Sequence, residues 1–166
     1  MMSTDTTARF NDIFNDFDVA MLVTQTPNSE LRARPMVIAD HHENGDVLFI
    51  TREESAKITE MLQNPQINVT MQSASRFASI SGKAAISYDK ALIEKSWKPA
   101  WKVWFPKGQD DPDILLIRVA AHQGEYWDNS GFNAVQFWFE AGKAVLKGEP
   151  LESDNEALHG KVVLNH

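Results

Sequence analysis

The pair Asn44-Gly45 stands between two runs rich in apolar and β-branched residues, Leu31–Asp40 and Val47–Thr51. Both residues tolerate positive φ, so an Asn-Gly pair in this setting is the strongest short hairpin signal a sequence carries. It commits this part of the chain to antiparallel pairing. Four more runs read as strands: Val19–Thr26, Ile67–Gln72, Ala78–Ser87 and the long Ile114–Trp127. Pro27-Asn28-Ser29 turns the first into its successor, and Gly82 marks a bulge or a close backbone approach within the fifth.

Helical patterns lie before and between these strands. Phe10, Ile13, Phe14 and Phe17 recur on one face of an N-terminal helix over residues 5–17, with Thr4 or Asp5 as cap. Ser55 opens a second pattern with Ile58, Met61 and Leu62, which ends near Asn64-Pro65. Asp89 caps a third, through about Trp97. The sum is one mainly β domain of about six antiparallel strands with helical insertions. A barrel over about residues 19–127 removes exposed edges, and a β-sandwich is the competing architecture. Residues 128–166 form a less periodic extension, in which Val135, Phe137 and Phe139 alternate as in a strand but also suit a helix with Trp138.

Composition excludes several chemistries. The absence of cysteine removes disulfides, thiolate metal sites and cysteine nucleophiles. The net charge of −7 disfavours polyanion binding, so no nucleic-acid partner is expected. Five scattered histidines show no ligand spacing, and no metal site is expected. No apolar run approaches the length of a membrane span and the N-terminus shows no targeting pattern, so the expectation is a soluble cytoplasmic protein without a membrane partner.

Three clusters carry candidate binding chemistry. Ile50 and Thr51 end a strand, and Ser55 and Lys57 begin a helix, which crowds hydroxyls, free amides and an ammonium at one helix N-terminus. Such a terminus suits a small phosphate; an ordinary N-cap with a solvated lysine is the alternative. Arg32 and Arg34 share one face of a strand and need an anion or solvent, while Pro35, beside Met36, marks an edge or an irregularity. Trp97, Trp101, Trp104 and Phe105, with Trp127 beyond, form either core or the wall of a flat aromatic ligand's site.

Taken in order, these residues resemble the flavin-binding split-barrel superfamily that includes pyridoxamine 5′-phosphate oxidase, and more closely its general-stress-protein branch. The resemblance rests on Arg34-Pro35-Met36, Phe49-Ile50-Thr51 with Ser55 and Lys57, and Asn64-Pro65. It continues through Ser81-Gly82-Lys83-Ala84, Trp104-Phe105-Pro106-Lys107-Gly108, Asp111-Pro112 and Glu125-Tyr126-Trp127-Asp128, covering residues 10 to 130. It implies a six-stranded antiparallel split barrel that binds FMN between the subunits of a homodimer. By position, Arg34 would approach the flavin, Ser55 and Lys57 would hold its phosphate, and Thr51 would flank the ribityl chain or ring. Trp104, Phe105 and Trp127 are candidates for the far wall, which the partner subunit supplies in such proteins.

Ala56 replaces a second phosphate-site cation of the oxidase, and Ala39 stands where it has a substrate lysine. Asn129-Ser130-Gly131-Phe132-Asn133 replaces its arginine- and histidine-containing substrate motif. The resemblance therefore implies an FMN-dependent oxidoreductase of an unidentified small molecule or electron donor, associated with stress, rather than a pyridoxamine-phosphate oxidase. Its catalytic residues are unassigned. The alternatives are a non-catalytic flavin-sequestering or redox-sensing protein, and a split barrel that binds haem or a deazaflavin.

Overall fold

A computed structural model describes residues 4–131, 135, 138, 139, 141–143, 146 and 159–164. Helix α1 (Thr4–Asn15) precedes three strands, β1 (Val19–Gln25), β2 (Leu31–His41) and β3 (Val47–Arg52). After α2 (Ala56–Gln63) come β4 (Gln66–Gln72), β5 (Arg76–Ser87) and α3 (Lys90–Ser96). Two 3-10 turns, Pro99–Val103 and Gly108–Asp110, lead into β6 (Ile114–Asp128), and β7 (His159–Val163) follows.

The strands form one antiparallel sheet in the order β3-β2-β1-β4-β5-β6-β7, and β3 also pairs with β6. That extra pairing closes a six-stranded barrel. β6 pairs with β5 along one edge and is long enough to serve two neighbours on the other: residues 114–119 pair with β3 and residues 123–127 with β7. The Asn44-Gly45 turn forms as its sequence dictates, with Gly45 at φ 84°. Gly82 proves to be both bulge and close approach. The β5–β6 register shifts beside it, and a Cβ there would stand 2.6 Å from the Ala120 carbonyl oxygen.

Phe10, Ile13 and Phe14 of α1 are fully buried against the barrel, and Phe17 follows just after the helix ends. Burying each such side chain is worth about 1.5–3 kcal/mol. The side chains of Thr4 and Asp5, the expected caps, lie outside the described residues. Asp89 does cap α3, accepting from the amides of Ala91 and Leu92. β3 has no solvent face. Val47 and Phe49 enter the barrel core, whereas Leu48 and Ile50 meet Ile93, Trp101 and Phe105 in a second core outside it.

β7 was not anticipated from the sequence. Its pattern is nonetheless regular, with Gly160 and Val162 buried and Lys161 and Val163 exposed. The described positions between 131 and 146 are helical, Val135 and Phe139 among them, while Phe137 lies outside the described residues. No described helix is long and apolar enough to cross a membrane.

Candidate functional site

The site begins where two paired strands part. β2 pairs with β3 only through Ile38, Asp40 and His41, with a register shift between Ile38 and Asp40. Among the described residues, β2 below Ile38 has β1 as its only strand neighbour, and above Phe49, β3 runs on along β6. Pro35 sits in the half of β2 with a single neighbour, where a missing N–H is tolerated. Sequence alone offered an edge or an irregularity for it, and the edge is what the sheet provides.

A cleft of about 580 Å³ fills the fork between β2 and β3. Pro35, Met36 and Val37 line one side, and Ile50, Thr51 and Arg52 the other. Glu54, Ser55 and Lys57 close one end, and Trp104 and Phe105 complete the wall. Eight of the eleven candidate residues thus meet in one place: Pro35, Met36, Ile50, Thr51, Ser55, Lys57, Trp104 and Phe105.

Ser55 occupies the N-cap position of α2 with extended backbone, φ −133° and ψ 139°, yet its side chain makes no capping bond. Its Oγ is buried and has no hydrogen-bond partner. A buried hydroxyl left this way costs about 1–3 kcal/mol. The first-turn amides of α2 emerge at the same end, where the helix dipole is positive. Ser55 is thus the N-cap by position, with no side-chain cap bond.

Lys57 lies in that first turn. Burial pulls its pKa below the ordinary lysine value, the charge of Arg34 adds to this, and Glu60 opposes it. No described carboxylate lies within ion-pair distance of its ammonium. A partly desolvated cation beside a second cation favours an anion.

Arg32 and Arg34 do share a face, as their spacing requires, but that face looks toward the barrel mouth and α2. Arg34 lies opposite Leu22 and Arg32 opposite Thr24 in the register with β1. Their anion is Glu60 of α2, whose side chain is only 3% exposed. Arg34 Nη2 donates to Glu60 Oε2 at 2.8 Å and Arg32 Nη1 to Oε1 at 2.8 Å. Thr24 Oγ1 also donates to Glu60 Oε2 at 2.5 Å, and Arg34 Nη1 bonds Thr24 Oγ1. Burial alone would raise the Glu60 pKa; the hydrogen bonds from Thr24 and Arg34 and the two arginine charges outweigh it and hold the carboxyl below its ordinary value. The Arg34 guanidinium is thus engaged by Glu60 and Thr24, and its side chain does not line the cleft.

The aromatics divide between two places. Trp104 and Phe105 line the cleft of their own chain. Phe105 is 5% exposed and roots in the second core, whereas Trp104 is 55% exposed. Trp127 lies elsewhere, stacked on His159 at 5.1 Å between centroids, on the β6–β7 ladder. Trp97 and Trp101 make a T-shaped pair beneath the loop.

Arg52, Glu54 and Val37 were missed as lining residues. Arg52 holds the aromatic loop in place: Nη2 donates to the Trp104 carbonyl at 3.1 Å, and the guanidinium lies 5.4 Å from the centre of the Phe105 ring. Asp111 and Asp113 flank it at 3.6 and 4.0 Å. The available signal was only its place directly after Thr51. No group of His, Asp and Glu suited to a metal ion occurs among the described residues.

The arrangement can take a flat molecule with an anionic tail. One end offers an unpartnered hydroxyl, helix amides and an ammonium; the walls are apolar and aromatic. The volume falls within the range of about 300–1,000 Å³ typical of small-molecule sites.

Comparison with known proteins follows the same line. A family model described as pyridoxamine 5′-phosphate oxidase like matches residues 5–152. Protein bli-3 of Neurospora crassa is 28% identical over 141 residues, which span 78% of this chain and 67% of that protein. A structure from Jannaschia sp. CCS1 superposes with a TM-score of 0.72 at 23% identity, covering 97% of this chain and 99% of that one. The general stress FMN/FAD binding protein of Xanthomonas citri is 25% identical with a TM-score of 0.66, over 78% of this chain and 92% of that one.

Proposed function

The chain belongs to the pyridoxamine 5′-phosphate oxidase-like family, which matches it over residues 5–152, and on that premise we propose that the cleft between β2 and β3 binds FMN. The observation that carries this reading is the pairing of the unpartnered Ser55 hydroxyl with the desolvated Lys57 ammonium at one end of an apolar cleft. The terminal phosphate lies there, against the first-turn amides of α2. Met36, Val37 and Ile50 take one face of the ring system, and Trp104 and Phe105 bound it. The binding of FMN or FAD by the Xanthomonas citri protein supports the same choice.

The protein acts on a small molecule as an FMN-dependent oxidoreductase. Bound flavin supplies hydride or electron transfer. The chain's own part is to orient the ring, keep water from its buried face and anchor the phosphate. Ala39 and residues 129–133 leave out the substrate-binding groups of pyridoxamine-phosphate oxidation, so the substrate is a different one.

The assembly is a homodimer with the cleft at the subunit contact. The support is an apolar stripe on the outer face of β1 and β2. Val19, Met21 and Leu31 are 51%, 38% and 77% exposed. In the β1–β2 register Val19 stands beside Val37, Met21 beside Pro35 and Val23 beside Ala33. Pro35 and Val37 belong to the cleft as well, so a partner that covers the stripe also covers the cleft's open side. Exposed apolar continuity of this kind marks interaction surfaces.

The test is direct. Protein purified and titrated with FMN should show the flavin absorption spectrum and bind FMN more tightly than riboflavin. Size-exclusion mass should be that of two chains. Reduction of the bound flavin by NADH, NADPH or a reduced deazaflavin would establish the redox role. A Soret band, or equal affinity for riboflavin and FMN, would overturn the assignment.

A further inference from the structure

Glu60 does not line the cleft, yet it gathers three side chains from two strands. It stands three residues after Lys57, so the two share a face of α2. From that face it takes Thr24 of β1 and Arg32 and Arg34 of β2, at 2.5, 2.8 and 2.8 Å. A carboxylate that is 3% exposed is costly unless every acceptor site is used, and here both oxygens are. The helix that carries the phosphate-site lysine is thereby tied to the strand that forms the other side of the cleft. The charges are linked as well: Arg34 lowers and Glu60 raises the pKa of Lys57.

We propose that Glu60 is a positioning residue of the anion site: by holding Arg34, Arg32 and Thr24 it fixes where Lys57 stands in the cleft, and so sets phosphate affinity without touching the phosphate. The inference rests on the assignment of FMN to the cleft and deepens it. Without the Glu60 charge, Arg34 and Lys57 repel one another across the wall of the site, and α2 loses its tie to β2. The phosphate end of the ligand is then held less well, while the ring end, set by Met36, Ile50 and Phe105, is unchanged.

The experiment compares FMN and riboflavin binding by fluorescence quenching in the wild-type chain, in Glu60→Gln and in Thr24→Val. Glu60→Gln keeps the shape and loses the charge; Thr24→Val keeps the shape and loses one of the bonds to Glu60. The expected result is FMN affinity at least fivefold weaker in Glu60→Gln and reduced in the same direction in Thr24→Val, with riboflavin affinity within twofold of wild type in both. The alkaline limb of FMN binding, which reports Lys57 among Arg34, Arg32, Glu60, Arg52 and Glu54, should also move to lower pH in Glu60→Gln. A purely structural role would lower thermal stability and weaken both ligands together, and that outcome overturns the proposal. So does an unchanged preference for FMN over riboflavin in either folded variant. A wild-type chain that shows no such preference overturns the phosphate reading itself, which separates the two failures.

Discussion

Lys57→Met tests the site through two effects of opposite sign. Methionine keeps much of the lysine stem's length and removes the charge. In the free protein the ammonium is disfavoured by burial and by Arg34, which is why its pKa falls below the ordinary value. Replacing it relieves that desolvation and that repulsion, so the thermal midpoint of the ligand-free protein should rise. In the complex the same change deletes a charge-assisted bond to the phosphate, worth about 1.5–3 kcal/mol. At about 1.4 kcal/mol per decade, FMN should bind about tenfold to about 150-fold more weakly. Riboflavin, which lacks the phosphate, should bind as before. The assay is a pair of titrations with each flavin beside a melting curve without ligand. If FMN and riboflavin weaken equally, Lys57 supports the fold rather than the phosphate. If the ligand-free protein is destabilised, the account of a strained lysine is wrong.

Other parts of the molecule give further outcomes. Gly82→Ala should cost about 1–3 kcal/mol in denaturant unfolding, because its Cβ meets the backbone oxygen of Ala120 at 2.6 Å and not a movable side chain; a neutral result would show that the bulge relaxes. Trp104→Ala should leave the melting temperature almost unchanged, since the ring is 55% exposed, but should weaken FMN and riboflavin alike. Burial lowers the pKa of His41, against the opposing bond to the Phe17 carbonyl, and its Nδ1 is buried without a partner. The unfolded chain takes up this proton near pH ~6.5 and the folded chain only at lower pH, so stability should fall as pH drops from about 6.5 toward the folded value. Stability that stays flat in denaturant titrations from pH 8 to 5 would contradict that placement of His41.

What could be read in advance was what is local. Asn44-Gly45, the hydroxyl at Ser55 and the cap at Asp89 act within a few residues, and the strand runs carry their own period. The partner of the two arginines was out of reach, because Glu60 lies 28 and 26 residues from Arg32 and Arg34. The role of Arg52 escaped for the same reason, since it depends on the Trp104 carbonyl 52 residues away. The stacking of Trp127 was equally out of reach, because its partner, His159, sits on a strand that follows a long aperiodic stretch. Even β7, a regular alternation from His159 to Val163, has its meaning only once β6 extends beyond β3 and leaves residues 123–127 with β5 on one edge and the other edge open.

The ligand-free cleft is assembled from groups that do the fold no good by themselves. The Ser55 hydroxyl is buried without a partner, Lys57 is desolvated beside Arg34, and Pro35 brings no donor to its strand. A barrel under selection for stability alone would close the β2–β3 fork, since extending that ladder past Ile38 would satisfy more backbone. A ligand that resolves several of these costs should therefore stabilise the protein strongly. At a concentration one hundred times its dissociation constant, FMN contributes about 2.7 kcal/mol by mass action. For a chain of this size that corresponds to a rise of about 5–11 °C in melting temperature. Riboflavin at the same concentration should give a smaller shift, and inorganic phosphate alone a small one that Lys57→Met abolishes. A shift with phosphate that survives Lys57→Met would place the anion somewhere other than the α2 terminus. The three-ligand series therefore locates the phosphate end of the site independently of any activity.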